Sequence, residues 1–341
     1  MPALFEVDRA ELEELLPRAL AGTGLLSGYE RLGGGTYNTG ALARLTDGRE
    51  VVVKISPPSW APGLSYEKGL LTTEADYFER AGALGAPVPR VLASGSAVFE
   101  GREHLVLSRI PGAPLYETPY REQGAERAAI RRELGAAVAL AHRAPCRGFG
   151  YTGGRAHLSA GNWPDAFGAM MGALLEDAAR YDVQLPVPAT RVMALVAACR
   201  GSLAEVTRPV LAHFDLWDGN ILVHEQPGQA PSLSGLIDAE RALHGDPVLE
   251  LPSLSVLDAR AEDPGFVADD DFLSGYSQVA GPLPVDSALL ERLALYRAYL
   301  YQIMLVEAVP RRLTGEDAEW RRTVCASMVS RHLGFVAARA R

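Results

Sequence analysis

Cysteine is scarce in this 341-residue chain, and its scarcity excludes two architectures at once. Cys146, Cys199 and Cys325 are odd in number and widely spaced, so they form neither a disulfide framework nor a thiolate metal cluster, and buried free thiols are expected. Long apolar runs are missing too: none reaches the roughly 18 residues needed to cross a bilayer. The stretch from Met1 to Asp8 lacks the basic start and apolar core of a signal peptide, so a cytoplasmic protein without membrane contact is expected. Nor is there an excess of positive charge. A formal net charge of −9 and no basic stripe argue against nucleic acid as a partner, while remaining compatible with a cationic small substrate. With 48% hydrophobic and 22% charged residues, the composition is that of a folded chain large enough for two lobes, each with its own core.

What the chain does contain is a spaced set of polar residues in its second half. His213 stands two residues before Asp215, Asn220 follows five residues later, and Asp238 lies behind the apolar pair Leu236 and Ile237. This is the phosphate-transfer spacing found in protein kinases. The chemistry explains the spacing, because one carboxylate must meet a hydroxyl nucleophile while an amide and a second carboxylate hold magnesium on the phosphates. Asp215 takes the first role and Asn220 and Asp238 the second. Asp218 either caps the turn or contacts a cationic acceptor, and Trp217 either packs the loop or stacks on substrate.

The first half reads as a small sheet with one main helix. Asp8 and Glu11 form a capping box before Leu12, Leu15, Leu16 and Leu20, with Pro17 kinking or stopping the helix early. Strands are expected over 25–32, 37–45 and 49–55, the last two joined at Asp47 and Gly48, residues that tolerate a hairpin turn. Between the first two lie Gly33, Gly34, Gly35 and Thr36, whose backbone amides could approach phosphate oxygens. Lys54 sits on the apolar strand Val51–Ile55, where burial requires a partner. Glu74 on an amphipathic helix is the preferred partner, with Glu67 and Glu79 as competitors. Gly85 to Pro89 break that helix, strands resume over 90–93 and 104–108, and Ile110 to Leu115 turn the chain at a lobe boundary. Helices then dominate, over 122–142, 163–181, 192–206, 269–279, 287–309 and 314–338. A glycine-rich surface loop over 147–162 that could wall the acceptor site, a structural His142 and a hairpin over 221–223 and 233–237 complete the reading.

The ordered set resembles the aminoglycoside phosphotransferase family and its relatives, the fructosamine, choline and macrolide kinases. The residues that carry the resemblance are Gly34-Gly35-Thr36-Tyr37-Asn38, Val53-Lys54, Glu74, Pro87-Val88-Pro89-Arg90, the run from His213 to Asn220, Ile237-Asp238 and the segment Gly245 to Glu250. The resemblance implies an α+β, protein-kinase-like two-lobed fold. A five-stranded antiparallel N-lobe over 1–110 would bind nucleotide, and a larger helical C-lobe over 111–341 would carry the catalytic loop, metal site and acceptor-binding helices. It implies ATP and Mg2+ as cofactors, Lys54 fixed by Glu74 on the phosphates beside Gly34, Gly35 and Thr36, and Ser108 and Ile110 offering backbone groups to the adenine edge. Asp215 would be the base, Asn220 and Asp238 the metal ligands, and His213 a buttress. Two departures stand out: Phe214 replaces a glycine common in the family, and Glu250 stands where an aspartate is frequent.

The spaced Gly-x-Gly-x-x-Gly and the Ala-Pro-Glu segment of protein kinases are both missing, which disfavours a protein acceptor. The leading expectation is therefore an O-phosphotransferase acting on a small hydroxylated antibiotic, aminoglycoside-like or nucleoside. A metabolite kinase acting on a fructosamine, amino sugar or choline-like alcohol is the alternative. A non-catalytic nucleotide-binding module would lose one of Lys54, Asp215, Asn220 or Asp238, and all four are present. A monomer or homodimer is expected.

Overall fold

The computed structural model describes residues 7–339 except 24, 34–36, 100, 154 and 257. The glycine-rich positions Gly34, Gly35 and Thr36 thus lie outside the described residues. Helix α1 (Arg9–Ala19) opens with the expected reciprocal cap: Glu11 N–H donates to the Asp8 carboxylate at 2.8 Å, and Asp8 N–H to the Glu11 carboxylate at 3.0 Å. The helix ends two residues past Pro17.

Strands β1 (Leu26–Leu32), β2 (Thr39–Leu45), β3 (Glu50–Ile55), β4 (Val91–Phe99) and β5 (Arg102–Ser108) form one antiparallel sheet in the order β1-β2-β3-β5-β4, with α2 (Leu70–Ala83) between β3 and β4 in sequence. The period-two alternation of a strand assigns its two faces. Val51, Val53 and Ile55 pack under Leu12, Leu15 and Leu16 of α1. Val52, Leu105 and Leu107 turn the other way, onto Leu71, Ala75 and Phe78 of α2. Lys54 shares the Val52 face, so its ammonium is carried towards α2.

The chain then crosses through β6 (Ala113–Pro114), and α3 (Ala125–Ala141) begins three residues later than expected, after Gly124. Strands β7 (Phe149–Tyr151) and β8 (Ser159–Ala160) pair within the segment expected as a surface loop. That expectation is corrected by Arg155, which is 1% exposed, donates to the carbonyls of Thr152 and Tyr66 at 2.6 Å each, and lies over the Tyr151 ring. The glycines there serve close backbone approach rather than exposure: Gly150 has φ of +101°, and a Cβ on it would meet the Leu158 carbonyl.

Helices α4 (Trp163–Arg180), α5 (Ala189–Ala198) and α6 (Arg200–Ala204) follow, the last two replacing a single expected helix that breaks at Cys199. After β9 (Val210–Ala212), the hairpin of β10 (Ile221–His224) and β11 (Ser232–Leu236) forms a small sheet with β6. Strand β12 (Leu243–Gly245) joins β7 and β9, and α7 (Glu250–Leu254) and α8 (Asp270–Ala280) lead to α9 (Ser287–Glu307). Helix α9 is buried on nearly every side, as an all-round apolar helix must be. The expected final helix is two, α10 (Gly315–Trp320) and α11 (Ala326–Arg339), joined by a π-helical turn over Arg321–Cys325.

The architecture is α+β, an antiparallel N-terminal sheet region followed by a largely helical part. Among the described residues no helix is long and apolar enough to cross a membrane.

Candidate active site

The motif loop is fixed by hydrogen bonds from below. Glu250, 1% exposed at the start of α7, accepts from the amides of His213 at 2.7 Å and Phe214 at 3.0 Å, and Ser253 Oγ accepts from the Leu216 amide at 2.9 Å. Phe214 has φ of +61°, the left-handed region in which glycine is at ease, and stacks on Tyr299 at 6.0 Å. His213 Nε2 lies 3.1 Å from the Ile237 carbonyl, which can only accept, so Nε2 carries the proton. Its Nδ1 is then free to accept the Asp215 amide at 3.2 Å. Burial keeps this imidazole below its ordinary pKa and hence neutral, so His213 is a buttress. His142 is likewise structural, bridging Tyr276 at 2.9 Å and Glu250 at 3.1 Å.

Hairpin register delivers the two proposed metal residues to one place. Ile221 pairs with Leu236, and the Ile237 amide donates to the Asn220 carbonyl at 3.0 Å, so Asn220 and Asp238 leave adjacent strands side by side. Asn220 Nδ2 donates to the Asp215 carbonyl at 2.8 Å, which leaves the amide oxygen as the group available to a cation. Asp238 adopts φ of +64° and bonds Lys54 Nζ at 2.7 Å. Lys54 also bonds both oxygens of Glu74, at 2.7 and 2.9 Å, and Glu74 is fully buried. Burial disfavours the ammonium, but Asp238 and Glu74 outweigh it and hold Lys54 above its ordinary range. Glu79 is exposed, and Glu67 pairs instead with Arg311.

These groups line one cleft of about 870 Å3. Its lining includes Leu42, Val52, Leu107, Leu222 and Ile237, with Ser108 and Ile110. Ser108 departs from its expected use: its amide donates to the Arg90 carbonyl and its hydroxyl accepts from the Arg90 amide, each at 2.9 Å. Its donor is therefore taken by Arg90, and Ile110 stands two residues past the last rung of the ladder, Val51 with Ser108.

A second wall, contributed by α9, α10 and the π-helical turn, includes Leu300, Met304, Glu307, Asp317, Trp320 and Arg321. Glu307 accepts from Arg241 at 2.9 Å and pairs with Arg311 at 3.0 Å and Arg321 at 2.8 Å. Burial pushes its carboxyl up, but the three guanidiniums overcome it and hold it down at about 2. This wall was not read from the sequence, although Glu307, closing the largely apolar run from Leu300 to Val306, with Arg311 four residues on, was a visible signal. Asp215 lines the same cleft, 3.9 Å from Arg241. Burial pushes its carboxyl up to about 6, Arg241 opposing and Asp238 adding.

Two expectations for neighbouring residues change. Asp218 neither caps a turn with its side chain nor awaits a cation, because Arg127 at 2.9 Å and Arg131 at 3.7 Å, one turn apart on α3, already hold it. Trp217 is not loop packing alone: it lines the cleft beside Tyr116, ring centroids 5.9 Å apart, over Gly219, where a Cβ would strike the indole.

A sheet-and-helix fold with a lysine, glutamate and aspartate chain facing a buttressed carboxylate across a cleft defines a phosphotransferase of the kinase-like class. The profile of the phosphotransferase enzyme family matches residues 28–317, and the chain belongs to that family. Solved structures share the fold. A candidate fructosamine-3-kinase of Thermobifida fusca is 20% identical over 94% of this chain and 97% of its own, with a TM-score of 0.63. Aminoglycoside phosphotransferase APH(4)-Ia, solved as a thermostable mutant with ADP and hygromycin B, is 20% identical over 93% and 98%, at 0.57. The macrolide 2'-phosphotransferase MphH of Brachybacterium faecium is 19% identical over 93% and 98%, at 0.53. No curated protein sequence matches the chain.

Proposed function

We propose that the protein is an ATP- and Mg2+-dependent kinase that phosphorylates a hydroxyl of a small molecule. The observation that carries this reading is that Asp215 shares one cleft with Lys54, Asn220 and Asp238 and with Leu300, Met304, Trp320 and Arg321. The nucleotide would lie over residues 1–110, its base against Leu42, Val52 and Ile110, and the acceptor would enter from the helical side over 111–341. Asp238 and the Asn220 amide oxygen are an all-oxygen donor set, which suits magnesium. Bound there, magnesium supplies neutralisation of the phosphate charge. Lys54, held by Glu74, grips nucleotide oxygens, and Asp215 orients the acceptor hydroxyl and takes its proton as the phosphoryl group moves. ATP as donor places the reaction in the cytoplasm.

For the acceptor, the proposed class is an antibiotic, aminoglycoside-like or nucleoside, phosphorylated as a means of resistance, in keeping with the aminoglycoside and macrolide phosphotransferases that share the fold. One observation favours a second reading. Trp217, in the run Asp215-Leu216-Trp217, lines the cleft, and an aromatic residue there suits a sugar face and hence a fructosamine or amino sugar.

Incubation with ATP, Mg2+ and a panel drawn from both classes, read by mass, should yield a product about 80 Da heavier; no product from any acceptor and no magnesium-dependent ATP binding would overturn the reading. In the same assay Asp238→Ala should shift the magnesium titration upward by at least about tenfold, and an unchanged titration would count against Asp238 as a ligand. The state of Asp215 sets the pH dependence. A protonated carboxyl accepts no proton, so kcat/KM should fall about tenfold per pH unit on the acid side of about 6 and level off above it.

A further inference from the structure

After Asp238 the chain makes one short helical turn, Ala239–Arg241, whose last residue lines the cleft. The reading above gives Arg241 no contact with substrate. The residue is 8% exposed, yet its guanidinium is poorly bonded. Nη2 donates to Glu307 of α9 at 2.9 Å, while Nε is buried without a hydrogen-bond partner. Nη1 makes no hydrogen bond among the described residues, and the Asp215 carboxylate stands 3.9 Å from it, beyond bonding distance. A guanidinium carries five donors and no acceptor. Burying it with so few of them answered is unfavourable unless a ligand oxygen completes the set.

Position decides which ligand that is. An acceptor hydroxyl that hands its proton to Asp215 sits about 2.7 Å from that carboxylate, so the substituent on the adjacent carbon comes within reach of Arg241 Nη1. The tether to Glu307 makes Arg241 part of the α9 wall, whereas Lys54 is held by Glu74 and Asp238. The charge of that wall leaves little for a cation. Glu307, its buried carboxylate, already answers Arg241, Arg311 and Arg321. Asp317 and Glu117 also line the cleft, but both are exposed, where an ion pair is weak.

We propose that Arg241 is an acceptor-binding residue that selects a hydroxyl flanked by oxygen, as in a vicinal diol or beside a carboxylate, over one flanked by an ammonium group. Arg241 Nη1 donates to the flanking oxygen while Asp215 accepts from the reacting hydroxyl, so the two side chains grip adjacent positions of the acceptor. An ammonium in the place of that oxygen meets like charge. Nucleosides and fructosamines present such a pair of oxygens. Amino sugars and aminoglycosides are disfavoured wherever an amine stands beside the target hydroxyl. The inference rests on the reading of Asp215 as the base.

The test uses ATP, Mg2+ and a panel of adenosine, uridine, fructoselysine, glucosamine and kanamycin A. Nuclear magnetic resonance of each product should place the phosphate on a hydroxyl whose neighbouring carbons carry oxygen and no amine; a phosphate beside an amine-bearing carbon overturns the proposal. Arg241→Gln should raise the KM of the acceptor at least about tenfold and leave that of ATP within about twofold. Arg241→Lys, which keeps the charge without the fork, should recover part of the loss. An unchanged acceptor KM, or a fall in kcat alone, overturns the proposal, since the guanidinium then serves the phosphoryl group or the fold. Glu307 keeps Arg311 and Arg321 in these variants, and circular dichroism checks that they fold. The phosphate position in the wild-type product decides the matter even if they do not. A panel that yields no product overturns the kinase reading and this inference together, whereas a product phosphorylated beside an amine overturns this inference alone.

Discussion

Asp215→Asn should lower kcat by about three to four orders of magnitude, which corresponds to about 4–5.5 kcal/mol of barrier. The amide keeps the shape of the carboxylate and removes its ability to take a proton. The surroundings make the substitution clean. The Asp215 backbone is held at its amide by His213 and at its carbonyl by Asn220, so the loop stays in place without the charge. The Asp215 carboxylate also repels that of Asp238. Nucleotide affinity should therefore stay within about threefold of wild type or rise slightly, since the lost group acts on the acceptor. Single-turnover rates with a responsive acceptor, set beside a nucleotide titration, check both halves. Activity near wild type would remove Asp215 from the role of base.

Glu250→Ala should cost about 3–5 kcal/mol of folding stability, read as a lower urea midpoint, and should abolish turnover in the fraction that folds. The carboxylate answers two buried backbone donors and His142 at once, and its removal strands all three. One of those donors belongs to Phe214, whose left-handed backbone is itself a cost of about 1–3 kcal/mol that the surrounding bonds hold in place. Glu250→Asp, one methylene shorter, should reach one amide and lose the other, with about half the penalty. Equal stability of Glu250→Ala and wild type would show that the loop is held by packing alone.

The sequence made the chemistry more legible than the walls around it. Lys54 with Glu74, and Asn220 with Asp238, were readable because an ion on an apolar strand demands a partner and because a hairpin turns a long separation into adjacency. Phe214 and Glu250 were read as two separate departures from the family pattern, whereas they meet in one hydrogen bond. A residue string does not show that contact, because it joins positions 36 apart through a backbone amide. The segment 147–162 was misread for a related reason: glycine marks both solvent-exposed turns and tight backbone contact, and only Arg155 buried beneath it separates the two. Asp218 was assigned to a turn or an acceptor because its partners, Arg127 and Arg131, lie on a helix about ninety residues earlier, at a separation of 91 for the closer one.

The bonds around Asp215 also bear on how such a cleft can diversify. Among the described residues, the side-chain hydrogen bonds to the backbone of residues 213–220 come from His213, Asn220, Glu250 and Ser253, and none comes from the wall built by Leu300, Met304, Trp320 and Arg321. Helix α9 meets the loop where Tyr299 stacks on Phe214 and where Glu307 holds Arg241 beside Asp215. Substitutions at Leu300, Met304 and Trp320 leave those contacts in place, so a change of acceptor would require no reinvention of the catalyst.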